Sequence, residues 1–190
     1  EIGVRLVGSE MCIRDRQYSR IARGLEKADL VLKDARIVNV FTEEIIRGDI
    51  AIQDGIIAGI GSFHGKEERD LAGRYVCPGF IDSHLHLEST LVTPAELVTV
   101  ASRHGTTTFI VDPHESANVS GLAGIDYILD QTEDVKANVY VMMPSCVPAT
   151  AIDDNGCTLT AEDMVPYLHN SRILGLGEVM DSICLLYTSP

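Results

Sequence analysis

The sequence predicts an α/β protein: a small antiparallel β domain followed by about four β/α units, or roughly half of a (β/α)8 barrel. Short β-branched runs separated by turn residues fill positions 28–61, whereas strand and helix patterns alternate from position 78 onward. Two histidines, one residue apart, end the first strand of the alternating part. This position predicts a functional site, because such barrels carry their active sites at the carboxyl ends of the strands.

Composition narrows the class of protein. The chain has 190 residues, 45% of them hydrophobic, and a formal net charge of −13. This length supports a sizeable core but not a complete barrel, which takes about 250 residues. The acidic charge disfavours nucleic-acid and anionic-membrane partners. Five cysteines, without a C-x-x-C pair, disfavour a disulfide framework and favour a reducing, cytoplasmic setting.

The two ends of the chain do not fit the pattern between them. Residues 1–16 show neither strand nor helix periodicity. They and residues 182–190 resemble translated sequencing-adapter sequence. We therefore expect both segments to be non-native and exclude them from the fold prediction.

Residues 17–76 are predicted to form a helix and a small β domain. An amphipathic pattern at 17–28 favours the helix. The Asp54-Gly55 pair between two apolar runs is a strong hairpin signal. The predicted strands are Leu30–Leu32, Arg36–Val40, Asp49–Ile52 and Ile56–Ile60.

Residues 77–181 are predicted to form the half-barrel, in which strands alternate with helices. Gly105 should stop the first helix, and Thr160 should cap the last one. The predicted strands are Tyr75–Asp82, Thr106–Val111, Asn138–Met143 and Ile173–Gly177. The predicted helices cover 94–104, 121–131 and 161–169, and residues 112–118 are expected to be a loop.

His84 and His86 are the strongest candidates for a metal site. On a strand, side chains two positions apart point to the same face. The two imidazoles therefore lie side by side, and imidazole is the commonest metal ligand in proteins. A bare H-x-H is also compatible with structural or surface histidines. The Pro-Gly entry, the apolar strand and the nearby Glu88 favour the metal interpretation.

Other reactive side chains follow the remaining strands. Charged or imidazole groups at the ends of three of the four strands are more than a purely structural domain needs. Besides Glu88, the candidates are Asp112, His114 and Glu115 after the second strand, Ser145 and Cys146 after the third, and Glu178 after the fourth.

Four segments carry a resemblance to a known family. "PGFIDSHLHLEST" resembles the first barrel strand of the amidohydrolase superfamily of metal-dependent hydrolases. "DPHESANV", "PSCVPAT" and "LGLGE" resemble, more narrowly, the bacterial adenine deaminase family. The resemblance implies that the N-terminal strands belong to a β-sandwich that flanks the barrel. It also implies hydrolytic deamination of adenine to hypoxanthine and ammonia in purine salvage, with no nucleic-acid or membrane partner.

The resemblance further implies a cofactor and residue roles. Two divalent cations, Mn²⁺ or Fe²⁺ with Zn²⁺ also possible, would be held by His84, His86 and a bridging Glu178. Further ligands and an acid/base aspartate are expected beyond the C-terminus, so we expect the 190-residue chain alone to be inactive or nearly so. Homo-oligomeric assembly of the whole protein is left open.

Several assignments stay open at this stage. Glu88 could orient a histidine or contact the purine. His114 and Glu115 could contact substrate, serve an additional metal site or only order their loop. Ser145 and Cys146 could line the purine pocket. Alternative functions are hydrolysis of a cyclic amide, as in dihydroorotase-like or allantoinase-like enzymes, and a non-catalytic metal-binding module.

Overall fold

The structure is a computed structural model that describes residues 15–181. The predicted non-native ends, 1–16 and 182–190, lie outside the described residues, apart from positions 15 and 16. Internal contacts divide the chain into two compact units, which meet in sequence between Pro78 and Gly79. Across 15–181, no helix is both long enough and apolar enough to cross a membrane.

The first unit contains a helix and one five-stranded sheet. The predicted antiparallel pairing holds for β1 with β2 and for β2 with β3, whereas β4 and β5 run parallel to β1. The strand order is β3-β2-β1-β4, and β5 also pairs with β1. The elements are α1 (15–22), β1 (Ala28–Asn39), β2 (Glu44–Gln53), β3 (Ile56–Gly61), β4 (Gly65–Asp70) and β5 (Tyr75–Val76).

Local backbone conformation explains two boundaries in this unit. Asp54 and Gly55 both adopt positive φ, 51° and 76°, as the predicted tight turn between β2 and β3 requires. Helix α1 ends at residue 22 rather than at the predicted 28. Gly24 has φ 71°, a left-handed conformation that ends a right-handed helix.

A buried carboxylate ties the strands of this sheet to the loop before β4. Asp49 is 8% exposed and forms an ion pair with Lys33. It also accepts hydrogen bonds from the backbone N–H groups of Asp34 and Phe63, each at 3.1 Å. The ring of Phe63 packs with Ile21 and Val31 in the core of the unit.

The second unit is a four-stranded parallel sheet in the order β6-β7-β8-β9, with helices between the strands. This arrangement confirms the predicted β/α alternation. Its elements are β6 (Phe80–Leu85), α2 (Pro94–Ser102), β7 (Thr106–Val111), α3 (His114–Ser120), α4 (Leu122–Gln131), β8 (Asn138–Met143), α5 (Ala161–Met164) and β9 (Ile173–Leu176). Short 3₁₀ helices cover Glu88–Thr90 and Val165–His169.

Further predicted elements differ from the structure. The strands predicted at Leu30–Leu32 and Arg36–Val40 are one strand, β1. The predicted strand Tyr75–Asp82 is two strands: β5 pairs with β1, and β6 begins at Phe80 and runs to Leu85. Pro78 between them has no backbone N–H to pair. Residues 112–118, expected to be a loop, contain most of helix α3. The predicted helix 161–169 is α-helical only to Met164 and then tightens into a 3₁₀ helix that contains Pro166.

The core of the second unit holds this sheet against its helices. Phe109 and Val111 of β7 and Ile125 of α4 are at most 1% exposed. Burial of each such side chain stabilises the fold by about 1.5–3 kcal/mol. Thr160 begins α5 with a capping box that it shares with Asp163, which confirms the predicted cap. This packing fixes the strand ends from which the candidate site is built.

Candidate metal centre

His84 and His86 present their rings to each other at the carboxyl end of β6. The two Nε2 atoms lie 3.1 Å apart, and the ring centroids are 4.9 Å apart in an edge-to-face arrangement. A neutral imidazole carries a lone pair on one nitrogen. At this distance one Nε2 can donate its N–H to the lone pair of the other, or both lone pairs can face a cation bound between the rings.

Glu178 reaches the same point from the end of β9. Its carboxylate oxygens lie 3.3 Å from His86 Nε2 and 3.7 Å from His84 Nε2. The donor atoms of all three residues lie within 4.8 Å of one another. The structure therefore brings together the three residues that the sequence predicted as metal ligands.

Asp112 and His114 form a buried pair behind Glu178. Asp112 is fully buried, and its Oδ1 lies 2.5 Å from His114 Nδ1. Its Oδ2 accepts a hydrogen bond of 3.0 Å from the backbone N–H of Glu178. Burial lowers the pKa of His114, but Asp112 and Cys146 outweigh that effect and raise it above its ordinary value.

Glu115 contacts the Nδ1 side of the His86 ring, and Glu88 in turn contacts the backbone of Glu115. Glu115 Oε2 lies 3.2 Å from His86 Nδ1. Glu88 Oε1 accepts hydrogen bonds from the backbone N–H groups of Glu115 and Ser116, each at 3.1 Å, at the start of α3. Burial raises the pKa of Glu88. Burial also opposes ionisation of Glu115, but a 2.7 Å hydrogen bond from Ser89 and the contact with Glu88 lower its pKa overall.

Ser145 and Cys146, at the end of β8, take different positions. The Ser145 hydroxyl donates a 2.6 Å hydrogen bond to the backbone carbonyl of Glu178. Cys146 instead lines the cleft beside the histidines. Ser145 therefore holds the chain at Glu178 in place, and only Cys146 of this pair borders the open space.

The cleft has a volume of about 560 Å³, within the range of small-molecule sites. Of the predicted residues, His86, His114, Glu115, Cys146 and Glu178 line it. Sequence reasoning missed Asn118, Asp153 and Asp154, which also line it. The two consecutive acidic residues Asp153 and Asp154, in the segment after β8, are the sequence signal that could have identified part of this lining.

The residues fit a divalent cation. Two imidazole nitrogens and a carboxylate are ligands that several first-row divalent metals accept. Two further groups of donor atoms satisfy the same 4.8 Å limit and adjoin the first: His86 with Glu88 and Glu115, and Asp112 with His114 and Glu178. The donor set does not select one metal.

A parallel β/α sheet with imidazoles and carboxylates gathered at the carboxyl ends of its strands is the arrangement of barrel-type metal-dependent enzymes. The model of the amidohydrolase family matches residues 75–179. The chain belongs to the amidohydrolase family, as the sequence predicted, and is therefore related to hydrolases that act on C–N bonds.

Curated relatives extend the match beyond the barrel strands. The chain is 60% identical over 163 residues to "Adenine deaminase" of Desulfitobacterium hafniense (strain Y51). This match covers 86% of the chain and 29% of that protein. It is 51% identical over 155 residues to "Adenine deaminase" of Geobacillus kaustophilus (strain HTA426), with 82% and 27% covered. The chain thus spans less than a third of the length of these relatives.

A solved structure also matches. It is the crystal structure of an N-acyl-D-glutamate deacylase from Bordetella bronchiseptica in complex with zinc and a phosphonate inhibitor. The TM-score is 0.49 at 23% identity, and the match covers 74% of this chain and 34% of that one.

Proposed function

We propose that this chain supplies the N-terminal part of a metal-dependent adenine deaminase, which hydrolyses adenine to hypoxanthine and ammonia. The observation that carries the proposal is the convergence of His84, His86 and Glu178 within a segment that is 60% identical to a protein named adenine deaminase. Activity is proposed for a polypeptide of the relatives' length. The proposed setting is purine salvage in the cytoplasm, where the free thiols of Cys77, Cys146 and Cys157 stay reduced.

The proposed cofactor is a pair of divalent cations, Mn²⁺ or Fe²⁺, with Zn²⁺ as a further option. His84 and His86 would hold one cation, and Glu178 would contact both, since a carboxylate has two oxygens and offsets part of the positive charge. Divalent cations in such a site supply Lewis acidity, which makes water a better nucleophile at neutral pH. The remaining ligands and the acid/base group are proposed to come from the part of the relatives that this chain does not span.

The residues of this chain would bind the cations and the substrate and orient them. Glu115 Oε2 lies 3.2 Å from His86 Nδ1, and a proton held on Nδ1 would leave the lone pair of Nε2 to face the cation. The cleft of about 560 Å³ accommodates a molecule of purine size beside His114 and Cys146. In the reaction, water adds to C6 of adenine, the bond from C6 to the exocyclic nitrogen breaks, and that nitrogen leaves as ammonia.

A chimera tests this function. Residues 28–181 would replace the corresponding segment of the Desulfitobacterium relative, and ammonia and hypoxanthine would be measured after incubation with adenine. We expect turnover that H84A and E178A abolish. H104A should leave turnover unchanged, because His104 is an exposed histidine at the end of α2.

The same chimera separates the alternatives. A folded, metal-loaded chimera that releases no ammonia from adenine contradicts the proposal. Hydrolysis of compounds in a cyclic-amide panel would assign the chain to that class of amidohydrolase instead. Bound metal without turnover of either substrate class would indicate a non-catalytic module.

A further inference from the structure

Asp112 connects the ends of three strands of the parallel sheet. Its backbone N–H donates a 2.9 Å hydrogen bond to the carbonyl of Leu85, the last residue of β6. Its side-chain Oδ2 accepts the N–H of Glu178, two residues beyond β9, at 3.0 Å. Asp112 itself directly follows β7 and is fully buried. One residue is therefore bonded to both segments that carry the candidate metal ligands.

The other oxygen of Asp112 contacts His114. Oδ1 lies 2.5 Å from His114 Nδ1, an ion-pair contact in which neither atom has a hydrogen-bond partner among the described residues. The ring borders the cleft, and its Nε2 is buried with no hydrogen-bond partner among residues 15–181. A buried ring nitrogen without a partner costs free energy unless a ligand satisfies it. Asp112 contacts the ring on its Nδ1 side, and Nε2 of His114 remains available for such a ligand.

Because Gly177 has no side chain, it leaves room for the carboxylate of Asp112. A Cβ atom built at position 177 would overlap with the carboxylate of Asp112. The carboxylate could move only by giving up its contacts with Glu178 and His114, because it is fully buried between them. By contrast, a Cβ atom at Gly175 would meet only Met142 Cε, at 3.8 Å, an ordinary contact distance.

We propose that Asp112 is a positioning residue, which holds the backbone at Glu178 and the ring of His114 so that the Glu178 carboxylate meets His84 and His86. This inference rests on the proposed metal site but not on the identity of the substrate. It adds a role for a residue that does not itself touch the open cleft.

Titration of the 190-residue chain with Co²⁺ tests this role, with affinity and the visible absorption of the bound ion as readouts. D112L removes both acceptor oxygens, and G177A displaces the carboxylate without changing it. We expect each variant to bind Co²⁺ about 10–100-fold more weakly, the usual effect of losing a partner that orients a ligand. D112N should bind almost as well as the unchanged chain, because Asn keeps an oxygen that accepts the N–H of Glu178.

Matched controls separate positioning from general stability. G175A and D130N, the latter on the exposed side of α4, should leave the affinity and the spectrum unchanged. Thermal unfolding of the metal-free variants shows whether D112L folds, and G177A keeps the test valid if it does not. Rescue by D112N is the result that a merely structural role would not give.

Three outcomes would overturn the inference: no Co²⁺ binding by the unchanged chain, normal affinity in G177A, or equal losses in D112N and D112L. None of them involves adenine. A chain that binds Co²⁺ as described, together with a chimera that does not deaminate adenine, would reject the proposed function and leave the role of Asp112 intact.

Discussion

His86 Nε2 lies 3.3 Å from Glu178 Oε1, although the two residues follow opposite edge strands of a four-stranded sheet. In a flat sheet these edges would be about 14 Å apart, three strand spacings. Side chains that rise perpendicular to a flat sheet would keep that separation. A sheet that curls, as the strands of a closing barrel do, brings these two edges together.

Neutralising Glu178 should weaken metal binding by the chain. E178Q keeps the shape of the side chain but removes the charge that offsets a cation between His84 and His86. We expect Mn²⁺ affinity to fall by at least about tenfold, measured by elemental analysis after equilibrium dialysis. E162Q changes an exposed glutamate on α5 and should have no effect. Equal Mn²⁺ content in E178Q and the unchanged chain would exclude Glu178 from the site.

Removing the carboxylate of Glu88 should loosen the start of α3. Glu88 Oε1 accepts the N–H groups of Glu115 and Ser116, which have no partner within the first turn of that helix. E88A should lower the free energy of unfolding by about 1–3 kcal/mol, measured by urea unfolding. E88Q keeps an acceptor oxygen and should lose less. Similar losses in the two variants would show that packing, rather than these hydrogen bonds, explains the effect.

Low pH should destabilise the first unit, because it protonates the carboxylate of Asp49. Burial raises the pKa of Asp49, but Lys33 and the N–H groups of Phe63 and Asp34 lower it below its ordinary value overall. A carboxyl with a lowered folded pKa adds stability above its unfolded pKa of about 3.9, and that stability is lost as the pH falls through the folded pKa. D49N should therefore be less stable than the unchanged chain near neutral pH.

The difference in the free energy of unfolding between D49N and the unchanged chain should shrink at low pH. Urea unfolding at a series of pH values down to about pH 3 would follow the two chains as they converge. E43Q, at an exposed position in the turn before β2, serves as the control and should follow the unchanged chain throughout. A difference between D49N and the unchanged chain that does not vary with pH would contradict the assignment to Asp49.

Tyr167 should ionise late in an alkaline titration. Burial and a 2.6 Å hydrogen bond to Asp126 raise the pKa of Tyr167 to about 12. Folding thus favours the neutral phenol, and this stabilisation is present below the unfolded pKa of about 10 and is lost as the pH rises through the folded value.

Nuclear magnetic resonance of the tyrosine rings would show this, with Y167F to assign the signal. D126N should move the titration of Tyr167 to lower pH, because it removes the negative charge that opposes phenolate formation. A Tyr167 that titrates together with the exposed tyrosines would contradict the prediction.

The sequence predicted the β/α order and the meeting of His84, His86 and Glu178, because strand periodicity and strand-end position fix which side chains share an edge. It did not predict α3. Pro113, and Glu115 in the first turn, are helix-start signals, but the predicted element at this segment is a loop. The contacts of Glu88 and Glu115 followed from that helix and were missed with it.

Other features depend on tertiary contacts that local patterns do not encode. Asp49 carries no sequence signal for its bonds to Lys33 and Phe63, since these residues come together only when the sheet forms. In the same way, the strand predicted at Tyr75–Asp82 is divided because Tyr75 and Val76 pair with Arg36 and Ile37 in the first sheet. Periodicity reports local structure and not the sheet that a strand joins.

The hydrogen bond from Glu178 N–H to Asp112 has a consequence for solvent exchange. The Glu178 side chain is 41% exposed, yet its amide proton points at a carboxylate that no water reaches. In heavy water that proton should therefore be replaced by deuterium as slowly as the amides in the middle of β7, and much faster once position 112 is leucine.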